Sequence, residues 1–442
     1  MNNATAGPET LRQVSGFSRL WTASTTSAFG SYVTILAIQV LIVDVLAGDA
    51  VDVGLVNAAR WLPYLLFGLL AGVLVDRVRR RPLLVVADLL SALALAAIPV
   101  LAATGHLVVG WLVVLMAVFG LCTLVGDAAY QSFVPQVVPA RLLGPAHARL
   151  DQSDAVAQAS GPALAGGLVS VLGAPLSVLV DSFSYLASAV LVATVRSDER
   201  VAAARSAGRV RGIGAEVREG LRWIYRHPTL RPMALSTHFW FVCSAIAGAV
   251  MTPFALVTLH LSAFTLGLAL AAAGLGALAG ASMAVQLGRR LGAGWLIIAA
   301  RVGTGVAWCL MAAAPLALPD APVLGDWGGG WAWAVFALGQ LLLGVCMGAE
   351  NTNEMTYRQT VTPDALQGRM NATMRSINRA MIVVAAPLGG LLGDAAGYGV
   401  ALVVAGSALV VSAAVSVGSG LRGARLDDAH ALAPIVDTGA SR

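Results

Sequence analysis

The sequence predicts an all-α polytopic membrane protein with twelve transmembrane helices in two pseudo-repeated bundles of six. Its 442 residues are 58% hydrophobic and only 12% charged, whereas a soluble domain carries about twice that share of charge. Apolar runs of about 20 residues, the length that crosses a bilayer, recur along the chain. Short blocks of residues from the first half also return in the second half. These observations exclude a soluble globular fold and indicate a duplicated membrane bundle.

Twelve membrane spans follow from the apolar runs. They lie at roughly 20–43, 53–75, 83–103, 107–127, 152–172, 175–195, 233–257, 263–287, 294–314, 331–353, 371–393 and 397–418. The predicted domains are a cytoplasmic tail over 1–19, a six-helix bundle over 20–195, a cytoplasmic linker over 196–232, a second bundle over 233–418 and a disordered cytoplasmic tail over 419–442. The first tail is polar and lacks an apolar core, so we expect no cleavable signal peptide.

The linker between the bundles is rich in arginine and is expected to turn helical near Gly214. Val217, Leu221 and Ile224 fall on one face of that helix and arginines fall on another. A basic amphipathic helix of this kind is typical of an element that lies on an anionic lipid surface. Binding of an acidic partner is the alternative interpretation.

The two halves of the chain repeat each other. Gly120-Leu121-Cys122 returns as Gly344-Val345-Cys346, an offset of 224 residues. Further pairs share that offset: Pro139 and Pro363, Gly144 and Gly368, Ala148 and Ala372, Gly166 and Gly390. A constant offset over two spans and a loop favours a parallel duplication over chance.

The distribution of arginine predicts the orientation in the membrane. The segments placed in the cytoplasm hold 24 of the 28 arginines, and the predicted outer loops hold none. By the positive-inside rule, both termini are cytoplasmic and the protein is a multi-pass protein of the cell membrane. Because the arginines follow topology and do not gather in one patch, the net charge of +5 indicates a lipid bilayer as partner and no nucleic acid.

A dense charge cluster separates the second and third spans. Asp76 follows Gly72 by one helical turn, and Arg77, Arg80 and Arg81 follow it within five residues. Such a cluster cannot lie in hydrocarbon, so it forms a tight loop at the membrane surface. The carboxylate of Asp76 could pair with a neighbouring helix end in one conformation and release it in another. The alternative is that the arginines serve topology alone.

This loop resembles the signature between spans 2 and 3 of the major facilitator superfamily, with Arg79 where the family has a second glycine. Other motifs resemble the branch that contains the enterobactin exporter and the macrolide efflux pumps: Ala59–Pro63, Ala87–Leu90, Gly161–Gly166, Asp181–Phe183 and Gln359–Pro363. The resemblance implies the major facilitator fold and proton-driven export of an amphipathic small molecule by a monomer. It also implies a kinked fifth span at Gly161, Pro162 and Gly166.

The resemblance further implies that spans 1, 4, 7 and 10 line a central cavity. Span 1 supports this independently, because Ser24, Ser27, Ser31 and Thr34 recur at helical spacing and form a hydroxyl stripe. Further cavity candidates are Tyr32 and Gln39 in span 1, His238 and Trp240 in span 7, and Gln340 in span 10. The alternative is that these side chains bond to their own helix or pack against neighbours.

Ionisable groups inside membrane spans are costly and therefore suggest function. Asp127 ends span 4, while Glu350 and Glu354 end span 10 one turn apart. Arg358 follows Glu354 by one further turn, a spacing that predicts an ion pair. The proton-coupling candidates are therefore Asp127 and Glu350, followed by Asp88 and Asp154. The resemblance also implies that spans 5 and 11 border the interface between the two halves. Asp151 and Asp154 at the start of span 5 are therefore expected to form salt bridges with Arg375 and Arg379 at the start of span 11.

Other functions remain open at this point. The same fold could move a lipid or import a nutrient, and a polytopic membrane enzyme is a more distant possibility. We expect no enzyme activity and no cofactor, because no loop contains a His/Asp cluster or a nucleotide loop. The four cysteines, Cys122, Cys243, Cys309 and Cys346, all fall inside apolar runs, which predicts buried thiols and no metal site.

Overall fold

The computed structural model describes residues 10–75, 78–195, 209–316 and 330–426, and this part of the chain is helical with no strand. Its α-helices are α1 (Ser15–Val40), α2 (Ala50–Val75), α3 (Arg80–Ala103), α4 (Val109–Val137), α5 (Leu143–Leu172), α6 (Ala174–Ala193), α7 (Arg209–Arg226), α8 (Leu230–Pro253), α9 (Ala263–Leu291), α10 (Ala293–Ala312), α11 (Gly330–Val361), α12 (Asp364–Ala396) and α13 (Tyr398–Val417). The all-α fold class is confirmed.

The helices have the length and surface of membrane spans. Among the described residues, eleven are long and apolar enough to cross a bilayer, and α2 occupies the position of the predicted second span. Large apolar side chains face outwards: Val171 is 82% exposed, Leu93 67% and Phe183 64%. A soluble protein would bury such side chains, whereas here hydrocarbon is their solvent.

The chain divides into two compact units. Unit 1 falls within Met1–Gly48 and Leu55–Gly212, and unit 2 within Asp49–Gly54 and Ile213–Arg442. In unit 1, α1 packs against α5 and α6, and α3 packs against α4 and α6. In unit 2, α8 packs against α12 and α13, and α10 packs against α11 and α13. The same set of helix pairs therefore occurs in both units, as the repeated sequence blocks predicted.

The repeated glycines mark close helix crossings. A Cβ atom on Gly120 of α4 would strike the carbonyl oxygen of Arg60 on α2. Its counterpart Gly344 of α11 would strike the carbonyl oxygen of Ala273 on α9. Only a residue without a side chain lets the two backbones approach this closely. The equivalent glycines thus serve the same packing function in each unit.

The helices α1 and α8 also end alike, although their sequences there differ. A single π-turn follows each helix, at Leu41–Val45 and at Phe254–Thr258. Beyond each turn stands a non-glycine residue in the left-handed region, Ala47 with φ of 50° and His260 with φ of 52°. The two turns make matching hydrogen bonds, from Leu46 N to Leu41 O and from Leu259 N to Phe254 O.

The linker helix α7 begins at Arg209, earlier than Gly214, where the sequence placed its start. Its apolar face was expected to lie on lipid, but this is wrong for Ile224, which is 1% exposed and packs against Ala234, Met370 and Met374. The indole of Trp223 also donates a hydrogen bond to Thr362. Protein side chains of unit 2, and not lipid, cover this part of the helix.

Candidate functional site

Unit 1 contains a cavity of about 450 Å³ between α1, α3, α4, α5 and α6. The predicted hydroxyl stripe forms one wall of it, because Ser24, Ser27 and Ser31 of α1 all line the cavity. Tyr130 of α4 and Tyr185 of α6 add aromatic surface with polar tips. Tyr32 and Gln39 are not among its lining residues. The cavity can therefore hold a molecule of the size and mixed polarity that small-molecule sites accept.

Four carboxylates line the same cavity. They are Asp88 of α3, Asp127 of α4, and Asp151 and Asp154 of α5. Asp88 accepts a hydrogen bond of 2.7 Å from the Ser188 hydroxyl, and Asp127 accepts one of 2.7 Å from the Tyr64 hydroxyl. Among the described residues that line the cavity there is no arginine, so the charged side chains among them are acidic, with His147 beside them. Three of the four proton-coupling candidates thus meet in one place.

The hydroxyl stripe of α1 continues beyond the cavity to Asp181 of α6, which was not among the candidates predicted from the sequence. Thr34, the next member of the stripe, donates a hydrogen bond of 2.6 Å to Asp181 of α6. Ser184 donates a second one of 2.9 Å to the same carboxylate, and Asp181 is fully buried. The available signal was an acid in the middle of an apolar run.

The fourth proton-coupling candidate, Glu350, lies in unit 2 in a buried charge network. Arg301 of α10 is 0% exposed and donates from Nε to Glu350 at 2.8 Å. Its Nη2 atom donates to Glu354 at 3.4 Å and to the Thr237 hydroxyl at 2.8 Å, and Nη1 donates to Ser236. The other oxygen of Glu350, Oε2, is buried and has no hydrogen-bond partner among the described residues.

The predicted ion pair between Glu354 and Arg358 is confirmed, with 3.3 Å between Oε1 and Nη1. Arg358 also donates to Asn371 of α12 at 2.7 Å. The network therefore balances two acids against two bases and links α8, α10, α11 and α12. Such balance is what allows four charges to remain inside a membrane bundle.

The other cavity candidates of unit 2 are packed side chains. His238 of α8 is 7% exposed and bonds through Nδ1 to Asn378 at 2.7 Å and through Nε2 to the Tyr225 hydroxyl at 2.9 Å. Trp240 is half-buried against Phe241, with 5.0 Å between the ring centroids. Gln340 of α11 is 2% exposed. Their role in a cavity stays a prediction.

The kink motif lies inside α5, where Pro162 stands within the helix and Gly161 and Gly166 are buried. A Cβ atom on Gly161 would come within 2.7 Å of Cβ of Tyr32. Tyr32 therefore packs at the crossing of α1 and α5, and the glycine permits that crossing. The kink of this helix remains a prediction.

The proposed gating loop is described in part. Gly72 lies in α2, while Asp76 and Arg77 fall outside the described residues. Arg80 begins α3 and is 7% exposed. The Arg81 guanidinium donates to the carbonyl oxygen of Ala193 at the end of α6. A cation at a helix C-terminus satisfies carbonyl groups that the helix leaves unpaired.

The residues of the predicted interface salt bridges belong to different units. Asp151 and Asp154 lie in unit 1, and Arg375 and Arg379 lie in unit 2. Asp151, Asp154 and Arg375 are exposed and Arg379 is half-buried. Ion pairs between these residues stay a prediction.

Comparison with known proteins identifies the family of this chain. The family model described as transmembrane secretion effector matches residues 9–438. The multidrug efflux pump Tap of Mycolicibacterium fortuitum is 28% identical over 392 residues, covering 85% of this chain and 88% of that protein. Macrolide efflux protein A of Streptococcus pyogenes is 25% identical over 180 residues, covering 41% of this chain and 44% of that protein.

Solved structures share the fold. A bacterial homologue of the iron transporter ferroportin in its inward-facing state superimposes with a TM-score of 0.72 at 15% identity, covering 93% of this chain and 99% of that one. The inward open xylose transporter XylE from E. coli gives 0.65 at 14% identity, with coverage of 94% and 99%. At these identities the likeness concerns the fold alone.

Proposed function

Because this chain belongs to the transmembrane secretion effector family of the major facilitator superfamily, we propose that it exports amphipathic small molecules by proton antiport and alternating access. The resemblance seen in its motifs is thereby confirmed at the level of the family. Two relatives carry the names of efflux pumps, one for multiple drugs and one for macrolides. Those names favour export, and the substrate of this chain belongs to the proposal.

The observation that carries the proposal is the cavity of unit 1. It combines about 450 Å³ of space with serine hydroxyls, two tyrosines and four carboxylates. Hydroxyl and aromatic groups suit an amphipathic substrate. Carboxylates at the same place can bind either a proton or a substrate, and such exclusion is what couples the two flows.

The carboxylates are proposed to divide between two functions. Asp127, Asp88 and Asp154 line the cavity, where a substrate and protons can compete for them. Glu350 is held by Arg301 and has one free oxygen, so it could take a proton while Arg301 stays paired with Glu354. Asp127 and Glu350 therefore remain the first candidates for coupling.

Gating and orientation complete the proposal. The loop from Gly72 to Arg81 is proposed to hold one conformation through Asp76 and to release it in the other. The protein is proposed to act as a monomer in the cell membrane. Both termini are proposed to lie in the cytoplasm, since arginine is absent from the predicted outer loops.

Everted membrane vesicles from cells that express the chain test the proposal. Ethidium, tetracycline and erythromycin serve as probes, and the vesicle interior is acidified by one pH unit. One proton exchanged per substrate can then support about a tenfold accumulation. We expect accumulation of at least one probe, and we expect an ionophore that removes the pH gradient to abolish it.

Two variants assign the coupling site, with a third as control. Asp127→Asn or Glu350→Gln should lose accumulation against a gradient and keep downhill exchange, because exchange needs no proton turnover. Asp364→Asn, at the exposed start of α12, should behave as wild type. Accumulation that persists without a pH gradient would rule out proton antiport, and uptake of a lipid or nutrient probe instead would favour the alternative transport functions.

A further inference from the structure

The most deeply buried acid of unit 1 is Asp181. It is the eighth residue of the 20-residue helix α6, and its side chain is 0% exposed. An ionised carboxylate at such a place is costly unless its surroundings compensate the charge. Neither the cavity nor the charge network described above contains this residue. Its surroundings therefore indicate why an acid is present there.

Its hydrogen-bond partners in the described part of the chain are both hydroxyl groups. Thr34 donates to Oδ2 at 2.6 Å and Ser184 donates to Oδ1 at 2.9 Å. Ser184 Oγ also lies 2.8 Å from the backbone carbonyl oxygen of Asp181, so it has a second acceptor. A hydroxyl can donate or accept. This pocket can therefore satisfy a carboxylate and, after rotation of the hydroxyls, a protonated carboxyl group.

The buried carboxylates of unit 2 have a charged partner instead. Glu350 and Glu354 face the guanidinium of Arg301, which only donates hydrogen bonds and is always charged. An arginine partner favours the ionised state of a carboxylate, whereas a hydroxyl partner can bond to either protonation state. Among the buried acids of the described residues, Asp181 is thus the one whose hydrogen-bond partners are all hydroxyl groups.

Few charged or titratable groups surround Asp181. On α2, the Arg60 guanidinium stacks over the rings of Trp61 and Phe119 at 5.5 Å from each centroid and acts on Asp181 electrostatically. On α6, Tyr185 lies one turn further along. From α3, Asp88 approaches the same helix through its bond to Ser188. From α1, the Thr34 hydroxyl and the backbone at Gly30 meet the carboxylate. The acids of α5, Asp151 and Asp154, line the cavity.

Hydroxyl groups connect Asp181 with the cavity. Tyr185 lies one helical turn after Asp181 on the same face, and it lines the cavity. Its hydroxyl interacts with Ser27 and Ser31 of α1, which line the cavity as well. Side-chain hydroxyls are therefore present both along the cavity wall and at Asp181.

We propose that Asp181 is a proton-binding site whose protonation state sets how α1 is held against α6. When Asp181 is ionised, Thr34 donates to it and fastens the two helices together. When a proton binds to a carboxylate oxygen, the carboxyl group itself donates, and the Thr34 hydroxyl can turn to the carbonyl oxygen one turn before it on α1. The proton is released intact in the reverse step.

Gly30 makes α1 sensitive to this change. A Cβ atom at Gly30 would strike Oδ1 of Asp181 and come within 2.6 Å of Ser184 Oγ, so the α1 backbone lies directly against the carboxylate. The next residue of α1, Ser31, lines the cavity. Proton binding at Asp181 would thus be transmitted to the cavity wall. This use of the site rests on the proton antiport proposed above.

Infrared difference spectroscopy of the purified full-length protein tests proton binding without any substrate. The C=O stretching band of a protonated carboxyl group is followed through a pH titration across neutrality. We expect a titrating band in the wild type that is absent from Asp181→Asn and retained in Ser182→Ala. Ser182 is a suitable control because it is the next residue of α6 and donates to Ala92 O on α3. An Asp181→Asn titration identical to that of the wild type would overturn the proposal.

A second variant covers the case in which Asp181→Asn does not assemble. Thr34→Val with Ser184→Ala keeps the acid and removes both hydroxyl donors. We expect its band to titrate at a midpoint different from that of the wild type, because the two hydroxyls stabilise the ionised form. If Asp181→Asn does not assemble, an infrared titration midpoint of this double variant equal to that of the wild type would overturn the proposal.

Transport of ethidium in proteoliposomes separates this proposal from that of proton antiport. Asp181→Asn should lose the accumulation of about tenfold that a one-unit pH gradient can drive and should keep downhill exchange. If the wild type itself accumulates no probe while its infrared band still titrates, proton antiport fails and the proton site stands. If the wild type accumulates the probe and Asp181→Asn does so equally, the proposed coupling at Asp181 fails.

Discussion

At the residue scale, Arg301 shows how a charge is kept inside a membrane bundle. Its guanidinium is 0% exposed and donates to two glutamates and two hydroxyls. Five N–H donors on a rigid planar group suit several partners at once, which a lysine could not match. The residue is therefore expected to hold α8, α10 and α11 in register through its hydrogen bonds, while its charge offsets that of Glu350.

Removal of Arg301 should destabilise the protein strongly. Arg301→Met leaves Glu350 as an uncompensated buried charge, and breaking such a pair costs about 3–5 kcal/mol. We expect a clear fall in the melting temperature in detergent micelles. The double variant Arg301→Met with Glu350→Gln should recover part of that loss because it removes the stranded charge.

Arg222→Met provides the matched control, since Arg222 is exposed on α7. It should melt at the wild-type temperature. If Arg301→Met also melts at the wild-type temperature, the network contributes nothing to stability. If the double variant is no more stable than Arg301→Met, the unpaired charge of Glu350 is not the cause of the lost stability.

At the element scale, close helix crossings depend on glycine. On α11, Gly344 and Gly348 face Ala273 and Ala277 of α9, and a Cβ atom at either glycine would strike a backbone carbonyl oxygen. Helices in lipid associate through van der Waals packing and not through the hydrophobic effect, so backbone approach matters more than side-chain area. The seam between α9 and α11 is therefore sensitive to a single methyl group.

Gly344→Ala should separate α9 from α11 and destabilise unit 2 by about 1–3 kcal/mol, the usual cost of overpacking. Gly248→Ala is its matched control, because nothing lies within 4 Å of a Cβ atom at Gly248 in α8. The control should be neutral or slightly stabilising, since alanine favours a helix by about 0.5–1 kcal/mol. Fluorescence-detected size-exclusion chromatography after heating measures both, and equal survival of the two variants would contradict the packing argument.

The junction between α7 and α8 depends on His227. Its Nδ1 atom accepts hydrogen bonds from the backbone N–H groups of Thr229 at 3.3 Å and Leu230 at 3.2 Å. Burial lowers the pKa of His227 below its ordinary value of 6.5. The folded state therefore favours neutral imidazole, whose free nitrogen caps the start of α8.

Acidification should loosen this junction. Because the folded pKa lies below 6.5, the stability contributed by His227 is complete above pH 6.5 and is lost as the pH falls towards the folded pKa. Hydrogen exchange of the Thr229 and Leu230 amides, corrected for the intrinsic rate, should accelerate between about pH 7.5 and about pH 5.5. In His227→Asn, the amide oxygen can accept these bonds without titrating, so the acceleration should vanish. Equal pH dependence in both proteins would contradict the assignment.

At the scale of the whole molecule, the orientation in the membrane follows from where arginine is absent. The predicted outer loops contain no arginine, whereas the loop after α2 contains Arg79, and α3 begins with Arg80 and Arg81. The loop after α3 contains His106, which is exposed. These two loops should therefore lie on opposite sides of the bilayer.

Cysteine labelling measures this directly. In a background without the four native cysteines, His106→Cys should react with a membrane-impermeant maleimide in intact cells, and Arg79→Cys should react only after lysis. Arg79 is exposed, so its protection in intact cells would reflect sidedness and not burial. Labelling of Arg79→Cys from outside would overturn the predicted orientation.

The sequence by itself determined the features that local pattern encodes. Apolar runs predicted the membrane helices, and the constant offset of 224 residues predicted the repeated packing of the two units. Helical spacing predicted the hydroxyl stripe of α1 and the ion pair between Glu354 and Arg358. Each depends on residues within one helix or on comparison of two segments. The physical reason is that helical periodicity fixes which neighbours in the sequence share a face.

Only the tertiary structure decided which helices bring distant charges together. Arg301 of α10 pairs with Glu350 of α11. Asp181 accepts a hydrogen bond from Thr34, which is 147 residues away in the chain. Ile224 packs against Met370 and Met374 and not against lipid. The matching π-turns after α1 and α8 carry no common sequence signal. Such contacts depend on the rotation and register of one helix against another. Those are set by packing over the whole unit, and no local pattern of residues specifies them.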